Sequence, residues 1–249
     1  MSGIRLSAAL ACAFIGCATG EPPGGNNGGV DAPVGGNIDA PVGGNVDAPG
    51  TPIDAAGGGI DAGLQTITLS QNSSTAIVAL STVSCNQTPD GVTRQNSYYR
   101  LFRLSDFGVV RPFTAQRIDF GVEAANAGIG TTQTVQVRLS TLTGAFITTN
   151  LTNVAGQNVS VNDVTGAGIV IPVALSPQPV IQPGATLVAE VQVPDGVAAG
   201  NIFFAGSNAA AETGPSYVKA VDCAITEPQT MLAIGFPDVH IVLTVTGVF

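Results

Sequence analysis

The chain predicts an all-β protein: a single β-sandwich, of jelly-roll or Ig-like type, behind a disordered N-terminal stalk. Three observations predict it. Charged residues make up 10% of the chain, against about 25% in an ordinary soluble protein, and Gly, Thr, Val and Asn take their place. Thr and Val suit pleated strands, while Gly and Asn suit turns. Apolar residues alternate with period two over much of residues 64–249, and no window carries a helical stripe. Turn signals recur at Pro89-Asp90-Gly91, Thr143-Gly144, Gln182-Pro183-Gly184, Pro194-Asp195-Gly196 and Thr213-Gly214-Pro215. About nine or ten short strands with such turns make two packed sheets.

The first element is not structural. Met1 to Arg5 is a short n-region with one Arg, and Leu6 to Gly16 is an apolar stretch of h-region length, too short to span a bilayer. It ends Phe14-Ile15-Gly16-Cys17. This resembles the lipobox of bacterial lipoproteins, with Phe14 in place of the usual Leu. The resemblance implies a signal peptide over 1–16, cut before Cys17, and lipid on the Cys17 sulfur. A cut before Cys12, after Ala9-Leu10-Ala11, is the alternative and leaves a shorter apolar stretch. Ala18 after the lipidated Cys, rather than Asp, implies the outer membrane. The expected location is therefore an exported protein, lipid-anchored in the bacterial outer membrane and facing the periplasm or the surface.

Residues 17–63 form the second region. Val30-Asp31-Ala32-Pro33-Val34-Gly35-Gly36-Asn37 is followed by Ile38-Asp39-Ala40-Pro41-Val42-Gly43-Gly44-Asn45, and the repeat decays through Val46-Asp47-Ala48-Pro49. Gly and Pro block regular structure, and the Asp residues repel one another. As a random coil this segment spans roughly 35–40 Å, enough to hold a domain clear of lipid head groups. Its Gly-Gly-x-hydrophobic-Asp units are loosely similar to calcium β-roll nonapeptides, but the period differs and Pro interrupts each unit, so calcium binding is not the expected reading. Asp-Ala-Pro spacers behind a lipidated Cys resemble those of many bacterial lipoproteins.

The domain at 64–249 carries the alternation. Val135, Val137 and Leu139 oppose Gln136 and Arg138; Ile118, Phe120 and Val122 oppose Asp119; Leu187, Ala189, Val191 and Val193 oppose Glu190 and Gln192; Ile241, Leu243 and Val245 oppose Val242, Thr244 and Thr246. Continuous apolar runs at Ala76 to Leu80 and Ile169 to Leu175 read as strands buried on both sides or at a sheet centre. Further strands are expected at Leu64 to Leu69, Ser97 to Leu104, Asn201 to Ala205 and Tyr217 to Val221, with Ala205 to Glu212 a loop. The first and last strands of the domain are expected to pair, with each other as one arrangement. Asn96-Ser97-Tyr98-Tyr99-Arg100-Leu101-Phe102, Phe120-Gly121-Val122-Glu123, Leu142-Thr143-Gly144, Phe204-Ala205-Gly206-Ser207-Asn208 and Gly235-Phe236-Pro237-Asp238-Val239-His240 resemble an uncharacterised all-β module of secreted bacterial proteins. That resemblance implies the fold and no activity.

The chain has 4 Cys. With Cys12 in the leader and Cys17 lipidated, Cys85 and Cys223 remain, an even pair in an oxidising compartment, and a disulfide is expected. So long a loop gives roughly 5 kcal/mol in chain-entropy arithmetic, as an upper figure.

The formal net charge is −9. Glu21 and the stalk Asp residues supply most of it, no basic footprint exists, and nucleic acid is not expected as a partner. The chemistry is sparse. His240 is the sole His, read as a hydrogen-bonding residue at a strand edge, and no Gly-x-Ser-x-Gly, His-Glu-x-x-His or phosphate-loop pattern occurs. Asp119 with Glu123, and Asp222 with Glu227 and Asp238, are the candidate paired carboxylates for a hydrolase. Asp222, Glu227 and Asp238 are also the candidate ligands for a structural calcium, pinned by the bridge at Cys223. Tyr98 and Tyr217 are the candidate binding residues, as stacking faces with amphipathic edges. Tyr98 and Tyr99 point to opposite sheet faces, so one of them belongs to the core.

The expected function is a non-enzymatic envelope lipoprotein that displays a β-sandwich binding module for glycan or protein. A self-assembling structural component and a carboxylate-based hydrolase are the alternatives.

Overall fold

The computed structural model describes residues 2–6, 63–88 and 90–249. Cys17 and the stalk residues 17–62 lie outside the described residues. Sixteen strands follow in chain order: β1 (Ser2–Leu6), β2 (Thr66–Leu69), β3 (Val83–Gln87), β4 (Asn96–Arg103), β5 (Phe113–Asn126), β6 (Thr132–Leu142), β7 (Leu151–Asn162) and β8 (Ile169–Ala174). Then come β9 (Val180–Ile181), β10 (Thr186–Val193), β11 (Ile202–Ala205), β12 (Ser207–Asn208), β13 (Ser216–Ala220), β14 (Ile225–Thr230), β15 (His240–Ile241) and β16 (Leu243–Val248). The fold is all-β, a sandwich of antiparallel sheets. Among the described residues no helix is long and apolar enough to cross a membrane.

One six-stranded sheet runs β14-β13-β4-β10-β6-β7. The other runs β11-β5-β16-β2, with β8 and β9 also paired to β5. The inward residues of both are those the alternation assigns: Val135, Val137 and Leu139 on β6, Leu187, Ala189 and Val191 on β10, Ile118, Phe120 and Val122 on β5, and Leu243 and Val245 on β16. The end strands of the domain do pair with each other, Val245 opposite Leu69 and Val248 opposite Thr66. Cys85 and Cys223 are disulfide-bonded, closing a loop of 138 residues. The bridge ties β3 to the turn between β13 and β14. Ser2–Leu6, within the segment read as signal peptide, pairs antiparallel with β3, Ile4 opposite Cys85.

Two apolar runs behave differently from their expectation. Ala76 to Leu80 is not a strand but a strap. The Glu123 carboxylate accepts a hydrogen bond from the Leu80 backbone N–H at 2.8 Å, and Leu80 takes φ 62°, a conformation that no strand admits. Ile169 to Ala174 is a strand but an edge, with Ile169 46% and Val170 41% exposed. Pro172 has no N–H to give a ladder, which fits an edge position and not a sheet centre.

Arg100 lies on the inward face of β4, fully buried. Four acceptors converge on it: Ile241 O at 3.0 Å, Gly214 O at 2.6 Å, Glu212 Oε2 at 2.7 Å and the Asn72 side chain. A buried guanidinium needs such satisfaction of its donors. Alternation gives its face and cannot give these partners, which come from the segment after β2, the β12–β13 connection and β15.

Candidate functional site

The outer face of the six-stranded sheet carries what the alternation turns away from the core. Across the strands Arg138 stands opposite Glu190, Glu190 opposite Tyr99, and Tyr99 opposite Tyr217. The next row is Gln136, Gln192, Ser97 and Lys219. Cross-strand neighbours sit about 5 Å apart, so each row is a continuous polar ridge.

The connection from β6 to β7 folds back over this face. Gly144 turns the chain at φ 87°, and Asn150 donates its side-chain amide to Ala145 O at 2.8 Å. Phe146 packs edge-on against Tyr99, with ring centroids 5.5 Å apart, and against Tyr217 at 4.9 Å. Thr148 donates its backbone N–H to Glu227 Oε2 at 2.8 Å and its hydroxyl to the same oxygen at 3.0 Å. Lys219 Nζ donates to Thr148 Oγ1 at 3.4 Å. The loop is thus a fixed wall, held by an aromatic clasp and a charge-assisted hydrogen bond.

Between wall and sheet lies a cavity of about 250 Å³. Tyr99, Arg138, Glu190, Gln192, Lys219 and Thr148 line most of it, with Leu151 and Val221 as apolar contacts. Arg138 Nη1 donates to Glu190 Oε2 at 3.1 Å, and the other Arg138 nitrogen binds the Gln136 side-chain oxygen. The Glu227 carboxyl is held below its ordinary value by the two Thr148 hydrogen bonds, with Lys219 adding to them. Burial, and then the Glu190 charge, push the Tyr99 phenol well above its ordinary value, so its hydroxyl keeps its proton at neutral pH. The cleft therefore offers fixed amide, hydroxyl, guanidinium and ammonium donors beside carboxylate and amide acceptors.

The residues singled out from sequence divide sharply. Cys85 and Cys223 are brought together. Tyr98 is not a binding residue: it is fully buried and its hydroxyl donates to Val83 O at 2.9 Å. Tyr99 takes the outward position on β4. Tyr217 does face outward, but Phe146 packs against its ring, so its stacking role goes to the clasp.

Asp222, Glu227 and Asp238 do not assemble: among the described residues no group of three or more His, Cys, Asp or Glu could hold a metal ion. Asp222 falls in the turn after β13 and Asp238 in the segment before β15, while Thr148 occupies Glu227. Glu123 is no exposed carboxylate either. It is buried and serves the strap. His240 lies away from the cleft, its ring nitrogens on Ala210 O and Pro237 O, with Glu212 at 3.5 Å.

Sequence reasoning passes over Arg138, Glu190, Gln192, Lys219, Thr148 and Phe146 as site residues. The available signal was the polar set opposite each apolar set on β6 and β10. Its meaning depends on β6, β10 and β4 being neighbours, and Tyr99, Arg138 and Glu190 lie far apart in the chain.

No family model matches the chain, and no curated protein matches it. Among solved structures, it is similar to the cysteine protease and lectin-like domains of Cwp84, a surface layer associated protein of Clostridium difficile, at 9% identity and a TM-score of 0.49. The match covers 73% of this chain and 36% of that one.

Proposed function

We propose that this chain is an exported, lipid-anchored envelope protein whose β-sandwich binds a glycan in the cleft on the six-stranded sheet, without catalysing a reaction. The observation that carries the reading is the cleft itself. It is a walled cavity on a rigid sheet, lined by amide and hydroxyl groups whose charged members already have partners. A saccharide presents many hydroxyls that both donate and accept, and it needs convergent groups of both kinds. Leu151 and Val221 supply the apolar contact that C–H faces of a sugar ring require.

The lipobox-like Phe14-Ile15-Gly16-Cys17 and the Gly/Pro/Asp repeat support the anchor. Cleavage before Cys17 removes β1 from the edge of β3. The outer membrane is the reading that Ala18 supports. Assembly through sheet edges is the weaker role, since Pro172 on β8 and Pro228 on β14 remove ladder donors from edge strands.

The test uses the full chain, purified in detergent, on a panel of immobilised polysaccharides. Retention by one glycan class is expected, and it should be lost in the Asn153→Ala, Gln192→Ala double variant, two cleft residues outside the ion pair, with an unchanged melting temperature. Equal retention of variant and native chain would remove the cleft from the function. In parallel, Cys17→Ser should abolish lipid labelling and partition into detergent.

A further inference from the structure

The cleft does not stop at the wall. A second cavity, of about 300 Å³, lies further along the same face, and Gln95 and Gln192 line both cavities. Its other lining includes Thr134, Gln136 and Asn158. In the pairing of β6 with β7, Gln136 stands opposite Asn158 and Ser140 opposite Asn153. The outward positions of β6, from Ser140 through Arg138 and Gln136 to Thr134, thus form one side of a single groove. At a rise of about 3.4 Å per residue, that stretch is about 20 Å long, room for about four linked pyranose rings.

The electrostatics of the groove are closed on themselves. Arg138 pairs with Glu190 at 3.1 Å, and Arg94 with Asp195 at 3.0 Å at the far end. Lys219 Nζ donates to Thr148 Oγ1 at 3.4 Å, and the Thr148 hydroxyl in turn donates to Glu227 Oε2 at 3.0 Å. Both guanidiniums along the groove have carboxylate partners, the Lys219 ammonium has the Thr148 hydroxyl, and the rest of the polar lining is amide and hydroxyl. A charged ligand would have to break one of these pairs, while an uncharged polyhydroxyl chain meets donors and acceptors with the pairs intact.

We infer that the joined cavities, with Gln95 and Gln192 at their junction, bind an extended stretch of a neutral polysaccharide, not a single sugar or a charged one. This rests on the glycan reading and specifies its ligand.

The experiment titrates the full chain, in detergent, by calorimetry with ladders of one to six units. The ladders are uncharged glucose, xylose, mannose and N-acetylglucosamine oligomers, with a galacturonic acid ladder as the charged counterpart. The dissociation constant should fall at least tenfold between two and four units of one neutral ladder and then level off. The exposed pair Thr134→Val and Asn158→Ala should remove that gain and leave disaccharide binding and melting temperature as in the native chain.

A single sugar bound as tightly as the tetramer, or a double variant indistinguishable on the tetramer, would overturn the extended groove while the glycan reading stands. Preference for the acidic ladder would overturn the neutral ligand. If no ladder binds and the polysaccharide panel retains nothing, the glycan reading falls, and this inference with it.

Discussion

The two sheets of this sandwich share one core and differ on their outer faces. The outer face of the six-stranded sheet is floored by long polar side chains, and the β6–β7 wall crosses it. The outer face around β5 is floored by glycine and filled by the chain itself. At Gly121 three segments meet in a closed cycle: Gly121 N–H donates to Val242 O at 2.8 Å, Val242 N–H to Gly206 O at 2.9 Å, and Gly206 N–H to Gly121 O at 2.8 Å. There β5 changes partner, from β16 up to Phe120 to β11 from Val122. Ile77 of the strap sits over this floor, so close that a Cβ on Gly206 would lie 2.8 Å from its Cδ1. One face is thereby open to a ligand and the other is not. Glycine lets backbone approach backbone and closes a face, whereas Gln, Arg and Ser hold the chain off and leave room.

The largest expected effect breaks the closed face. In Gly206→Ala the new Cβ would stand 2.7 Å from Gly121 Cα, against backbone that cannot swing aside. A loss of about 3 kcal/mol in urea unfolding is expected, the upper part of the range for overpacking. Gly156→Ala on the cleft sheet is the control. Its Cβ would meet Val137 O at 3.2 Å and Arg138 Cγ at 3.3 Å, and a change below about 1 kcal/mol is expected. Equal losses in the two variants would dissolve the contrast between the faces.

A smaller effect lies in the strap's anchor. Burial raises the Glu123 carboxyl above 4.5, while backbone N–H groups of Leu80, Ser81 and Thr82 oppose the shift. A carboxyl whose folded value is raised binds its proton more readily in the folded state. Its contribution to stability is therefore greatest at low pH and declines as pH rises from about its unfolded value through its raised one. Glu227 on the cleft sheet has the opposite sign. Its folded value is lowered, so its contribution is present above about 4.5 and is lost as pH falls through the lowered value. Unfolding followed from pH 3 to 8 should show Glu123→Gln removing a decline with rising pH, and Glu227→Gln removing a decline with falling pH. The same sign in both variants would contradict the two environments.

The smallest effect on stability and the sharpest on binding belongs to the wall. Thr148→Val deletes the hydroxyl that binds Glu227 and accepts from Lys219. The backbone bond to Glu227 remains, so a stability change within about 0.5–1.5 kcal/mol is expected. Saccharide retention in the cleft should drop measurably, because the lining loses a hydroxyl and Lys219 loses the acceptor that holds it. Retention equal to the native chain would show that the sheet floor alone makes the site.

Much of the fold was legible residue by residue. The strands around Ile118, Val135, Leu187 and Leu243 follow from alternation, and so do their core faces. The pairing of the first domain strand with the last follows from both being strands. The disulfide follows from an even Cys count. Other strands were hidden: β7 reads Leu-Thr-Asn-Val-Ala-Gly-Gln-Asn-Val-Ser-Val-Asn, an edge with a largely wet surface and too few apolar positions to signal itself. The strap reads as a strand because Ile77, Val78 and Leu80 are apolar, and composition cannot register the Glu123 carboxylate that captures the backbone N–H at its end, from Leu80 to Thr82. Tyr98 and Tyr99 had to be divided between faces, but nothing local said which went inward. Tyr98 did, because Val83 O lies within reach of its hydroxyl.

An all-β domain, the faces of its alternating strands β5, β6, β10 and β16, its bridge and its acidic, repeat-bearing N-terminal segment are readable along the chain. All of these are local or countable, since the pleat fixes side-chain direction at period two and cysteine pairing within a domain has few solutions. Which outward residues became a site depends on the assembled sheet. Tyr99, Arg138, Glu190 and Lys219 meet because β13, β4, β10 and β6 lie side by side in register. Strand order and register are set by packing of the whole core, so no window of the chain contains the groove.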